Sequence, residues 1–137
     1  MVFSVPQRFI KDSDFFTPPT AGGVLAVKYN TIAYTDTTAK NLFTLPVGAV
    51  IVDIIVVVKT AFNSSGTDLL DIGDASTGNR FKNDLDVSAT GITNTGWVVA
   101  ELLTPLTADT VITGLFAQSV ADASAGSAVV AFVYMQS

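Results

Sequence analysis

The residues able to do chemistry in this 137-residue sequence are acids: Asp68, Asp71, Asp74, Asp84 and Asp86 gather in one polar stretch, and the single glutamate is Glu101. Loop carboxylates are ligands for hard cations such as calcium. Their spacing here does not follow the D-x-[DN]-x-[DN]-G loop, so they read instead as turn-capping and solubilising residues. Two carboxylates flanking a bond could hydrolyse a glycoside, but ordinary turn positions beside a lone glutamate do not build that pair. The sequence has no histidine and no cysteine. A Ser-His-Asp triad, an imidazole base, histidine or thiolate metal sites and disulfides are therefore excluded. No enzyme, metal or cofactor is expected.

Gly66, Gly73, Gly78, Gly91 and Gly96 could suggest a phosphate cradle. None lies between a strand and a helix, as such a loop requires, so they are turn glycines. The stretch from Asp74 to Gly96 reads as a long surface excursion, and loops of that length commonly carry binding. Arg80, Phe81, Asn83 and the adjoining Trp97 are its candidate contacts. Trp97, beside Val98 and Val99, also reads as core or interface. Asp53 stands inside an aliphatic strand and must either face solvent or pair with a cation, for which Lys59, Lys28 and Arg80 are the candidates.

Composition narrows the partners. The net charge is −5, and the seven basic residues are scattered from Arg8 to Lys82 without a run. Nucleic acid and anionic membrane surfaces both reward clustered cations, so neither is expected as a partner. The apolar run Val47 to Val58 is shorter than the roughly 20 residues that span a bilayer and is broken by Asp53. No secretory signal is read in Met1 to Val5, and the protein is expected to be soluble.

The element that must position these residues is the stretch Leu45 to Asn63, LPVGAVIVDIIVVVKTAFN. Val50, Val52, Ile54, Val56 and Val58 share one parity, and Ile51, Asp53, Ile55, Val57 and Lys59 the other, the period of a strand. Its β-branched density favours a pleated surface over a helix. Burial of each even-numbered aliphatic is worth about 1.5–3 kcal/mol. This strand, from Ala49 to Phe62, is expected to be central. Further strands are read at Val24 to Asp36, Asn41 to Leu45, Asp68 to Gly73, Trp97 to Leu102, Thr110 to Gln118 and Ser127 to Met135. The last has two apolar faces, which predicts burial or pairing at an interface.

Residues 1–23 differ from the rest, with Phe3, Phe9, Ile10, Phe15 and Phe16 set among prolines and charges and ending in Pro18-Pro19 and Gly22-Gly23. This reads as an extended N-terminal arm tied down by its aromatics, on its own domain or on a neighbour. The expected organisation is an arm over 1–23 and an all-β antiparallel sandwich over 24–137.

Leu45, Pro46, Gly48, Ala49, Thr60, Ala61, Phe62, Asn63, Leu70, Ile72 and Gly73 fall in the segment Leu45 to Gly91, about a third of the chain. An L-P-x-G-A turn, an aliphatic strand, T-A-F-N, a short L-x-I-G strand and an aspartate-containing loop follow one another there. This order resembles small tailed-bacteriophage virion proteins of the capsid decoration, or cement, type. The resemblance implies a jelly-roll-like sandwich made in the host cytoplasm, self-associating as a homotrimer and sitting on the capsid exterior against the major capsid protein. The alternative it implies is a tail or head fibre component that binds a receptor or glycan through the 74–96 loop.

Overall fold

In the computed structural model, residues 24–136 are described; the arm residues Phe3, Phe9, Ile10, Phe15 and Phe16 lie outside them. Eight strands follow in order: β1 Val24–Ala33, β2 Lys40–Leu45, β3 Val50–Thr60, β4 Asp68–Asp74, β5 Lys82–Asp86, β6 Gly91–Thr93, β7 Thr110–Gln118 and β8 Ser127–Gln136. They form two four-stranded sheets ordered β1-β8-β3-β6 and β2-β7-β4-β5. Every neighbouring pair is antiparallel. Eight strands in this order are the jelly roll, so the expected all-β sandwich is the observed fold.

Alternation places the core. On β8, Ala128, Val130, Phe132 and Tyr134 point inward and are buried. From the other sheet Leu42, Leu45, Leu70, Ile72, Ile112 and Phe116 meet them. Phe132 is the centre of this packing, with Phe43 edge-on at 5.4 Å and Phe81 perpendicular at 5.2 Å between ring centroids. Such edge-to-face pairs add to the burial of the rings themselves. Where β1 crosses onto β7 the approach is closer: a Cβ on Gly114 would lie 2.7 Å from Ile32 Cδ1. Glycine at that position lets Ile32 pack fully buried between the sheets.

β3 is central, as expected, but its inward parity changes partway. The pairing with β8 slips between Ile51 and Asp53. Ile51 is buried before this bulge, and Ile54, Val56 and Val58 after it. One extra residue in a strand reverses which parity faces inward. Ile51 and Ile54 are therefore both in the core, while Val50, Val52 and Asp53 stay half-buried on the outer side.

Two stretches differ from the sequence reading. The 74–96 excursion contains β5 and β6, which extend the two sheets. Trp97 to Leu102 is not a strand but holds a single 3-10 turn at Val99–Glu101, with the Glu101 N–H bonded to the Val98 carbonyl at 3.0 Å. Positive φ at Gly96 (82°) and Leu103 (63°) brackets it and prevents an extended run. Past it, the N–H groups of Leu103 and Leu106 bond the carbonyls of Ile51 and Ala49 at 2.9 Å each. This segment covers the free side of the beginning of β3.

Candidate interaction surface

The acids act as turn fasteners. Asp74 Oδ1 accepts from Ser76 N–H at 3.0 Å, Ser76 Oγ at 3.0 Å and Thr77 N–H at 2.7 Å, which caps the turn after β4. Asp71 accepts from the Asp84 N–H, Asp86 from Ser88, and the buried Asp68 from the Ser64 N–H. Among the described residues no three acids converge on a common point.

Arg80 is placed between two carboxylates. Its Nη1 lies 2.8 Å from Asp74 Oδ2, and its Nε donates to Glu101 Oε1. Its side chain is 29% exposed and that of Asp74 11%, so the pair is partly withdrawn from water. Burial alone would raise the Asp74 pKa, but the bonds from Arg80, Thr77 and Ser76 outweigh it and hold the carboxyl below its ordinary 3.8. Burial likewise opposes the charge on Arg80, but Glu101 and Asp74 together outweigh it and raise its pKa above the ordinary guanidinium value. Asp74 and Arg80 line a shallow polar groove with Leu106 and Asp109. The guanidinium is held by both acids, so it ties β4, the 74–80 turn and the 3-10 turn together and is not a free cation.

The loop candidates from the sequence are thus dispersed. Phe81 is fully buried against Phe132, and Trp97 is 8% exposed. Both rings face the core. Arg80 is held by its two acids, and Asn83 is exposed, with its amide on Asp84. Asp53 bonds the neighbouring Ile54 N–H at 2.8 Å. Two of the cations suggested for it are engaged elsewhere: Lys28 donates to the Thr44 carbonyl and Arg80 to Asp74 and Glu101.

The feature that sequence reasoning located only in part is the outer face of the β1-β8-β3-β6 sheet. Register aligns its outward residues in rows: Leu25, Met135 and Val50; Val27, Val133 and Asp53; Tyr29, Ala131 and Ile55; Thr31, Val129, Val57 and then Ile92 of β6. Leu25 is 64% exposed, Tyr29 70% and Ile92 73%. Three strands of about ten residues present on the order of 500 Å² of sheet. That is near the top of the range for the largest apolar patch on a monomer, a size that marks interaction sites. Within these rows the single charge is Asp53. The two-faced apolar pattern of β8 was the sequence signal for this surface; its extent depended on β1 and β6 lying beside β8 and β3.

No family model and no curated protein matches the chain. Solved structures share its fold. A chain in the capsid asymmetric unit of cyanophage Pam1 is 22% identical with a TM-score of 0.65, over 100% of both chains. A chain in the acidic stable capsid structure of the Helicobacter pylori bacteriophage KHP30 is 18% identical with a TM-score of 0.64, over 82% of this chain and 88% of that one. A chain in the capsid of Ralstonia phage GP4 is 20% identical with a TM-score of 0.64, over 87% of this chain and 88% of that one. At these identities the likeness is one of fold.

Proposed function

We propose that this chain is a structural virion protein of the decoration, or cement, type, which binds the outer surface of a tailed-phage head and stabilises it by bridging capsomers. The observation that carries the reading is the apolar face of the β1-β8-β3-β6 sheet, which no other described residue covers, on a fold shared over its full length with a chain in a phage capsid asymmetric unit. A cement protein needs adhesive area and no reaction centre. Here the acids and the arginine are spent on fastening turns, while apolar side chains are turned outward. The partner fitted to this face is the major capsid protein, with self-association alongside it. The fibre or receptor-binding alternative is supported less, because the rings of Trp97 and Phe81 face inward and leave the 74–96 loop without an exposed aromatic platform.

The test is cosedimentation with capsids of the source phage that lack this protein. The wild-type chain should pellet saturably. Ala131→Glu and Ala131→Lys, in the middle of the outer face between Tyr29 and Ile55, should each stay in the supernatant while melting like wild type. Loss with both signs of charge would identify burial of the face, and full binding by both variants would refute the face as the capsid contact. Saturable glycan binding by a chain that ignores capsids would favour the fibre reading.

A further inference from the structure

Among the described residues, half of β1 is an unfinished sheet edge. In an antiparallel ladder the N–H and C=O of one residue point to the same side, and the side alternates along the strand. Thr31 identifies the parity that faces away from β8: its N–H is bonded to Asn30 Oδ1 at 2.8 Å, and its carbonyl accepts from Lys40 Nζ at 2.8 Å. Ala33, of the same parity, donates to Asp36 Oδ2 at 2.7 Å and accepts from the Asp36 N–H at 2.9 Å. Leu25, Val27 and Tyr29 share that parity. Among the described residues nothing bonds their edge-facing backbone groups.

The neighbouring edge, that of β2, is treated differently. Asn30 Nδ2 caps the Leu42 carbonyl at 2.9 Å, and Lys28 Nζ caps the Thr44 carbonyl at 2.7 Å. Inward-parity side chains of β1 thus close the edge of β2, and among the described residues the edge of β1 stays open over Leu25 to Tyr29. The same three residues carry exposed apolar side chains, 64%, 57% and 70% exposed in turn. An open edge that is also apolar is a template for an added strand.

We propose that this edge pairs with the β1 edge of a second copy, antiparallel about a twofold axis at Val27. In that register Val27 lies opposite the partner's Val27, and Leu25 opposite the partner's Tyr29. Every open N–H and C=O gains a partner, and an aromatic-aliphatic cross-strand pair forms on each side of the axis. Lys28 falls opposite the partner's Ala26, so no like charges face each other. The sequence before β1 is poorly suited to fill the edge by folding back: a hairpin at Gly22-Gly23 would set Pro18, which has no N–H, opposite Val27. Pairing joins two sheets into one of eight strands with a continuous apolar outer face. The contact is isologous and gives dimers, in place of the trimer that the family resemblance implies.

The test uses the full chain in solution, without capsids, so its failure and that of the capsid reading are separable. Sedimentation velocity should show the mass rising with concentration from 14.3 kDa to twice that value. Val27→Pro deletes an N–H that β8 does not use, so the fold survives while the dimer weakens by roughly tenfold or more. Val27→Lys sets like charges across the axis and should do the same, which decides the matter if the proline variant does not fold. The chain has no cysteine. Val27→Cys should therefore crosslink into dimers with a short bismaleimide, whereas Ala89→Cys, exposed and next to β6 at the opposite edge of the sheet, should not. A monomer at all concentrations, a trimer, or a dimer indifferent to both Val27 substitutions would overturn the proposal.

Discussion

The Arg80 guanidinium lies 2.8 Å from the Asp74 carboxylate, which ties the end of β4 to the residue just before Phe81 enters the core. Glu101, from the 3-10 turn, takes the Nε of the same guanidinium. A planar donor set can serve two carboxylates at once, and an ammonium cannot reproduce that geometry. Arg80→Ala leaves two partly buried acids facing each other and should cost about 1–3 kcal/mol in denaturant unfolding. Arg80→Lys should recover only part of it. A stability equal to wild type in both variants would mean that the cluster is not a fastener.

Asp74 also predicts an acid dependence. Its carboxyl is held below 3.8 in the folded chain, so the unfolded chain binds its proton more readily. The stability it contributes is present above that ordinary value and is lost as pH falls through the lower folded value. Asp86, held down by Ser88, acts in the same direction. Thermal melts of wild type and Asp74→Asn should therefore differ most near neutrality and converge as the pH falls through and below the ordinary carboxylate range. Parallel curves through that range would remove Asp74 from the account.

Trp97 gives a test in which burial and recognition separate. Its ring is 8% exposed, and its Nε1 is buried without a hydrogen-bond partner among the described residues. Trp97→Ala should cost about 3–5 kcal/mol through the cavity it leaves. Trp97→Phe should cost much less, because it removes a donor that is already unsatisfied. Calorimetry on the two variants checks this, and an unchanged melt for Trp97→Ala would return the residue to the list of surface contacts.

Six of the eight strands were legible in sequence because their side chains alternate over five or more residues between turn signals. β5 was not. Phe81, Leu85 and Val87 are buried, but the intervening run is Lys82-Asn83-Asp84, Asp84 has a positive φ of 57°, and the pairing with β4 slips between Leu70 and Ile72. A strand interrupted by a bulge over three consecutive polar residues loses the alternation that would mark it. β6 is three residues long and exists because it pairs with Val56 to Val58, a relation between distant segments. The Val99–Glu101 turn shows the reverse case, apolar residues without a strand, since backbone at Gly96 and Leu103 decides the path. The candidate surface was legible on β8 alone, and the open edge of β1 was not legible at all, because an edge is defined by which strands are absent beside it.

The arm over residues 1–23 supplies the remaining prediction. Its four phenylalanines, Phe3, Phe9, Phe15 and Phe16, are the anchors proposed for a segment whose prolines and charges do not fit a strand or helix period. Among the described residues, side chains from Ile32 to Tyr134 already close a continuous buried core between the two sheets. Deleting 1–23 should accordingly leave the melting transition nearly unchanged. If the arm contributes to the capsid contact as proposed, capsid occupancy, measured by cosedimentation at fixed total protein, should fall. A truncated chain that unfolds would show that the arm belongs to the domain, and one that binds capsids as well as wild type would confine the contact to the sheet.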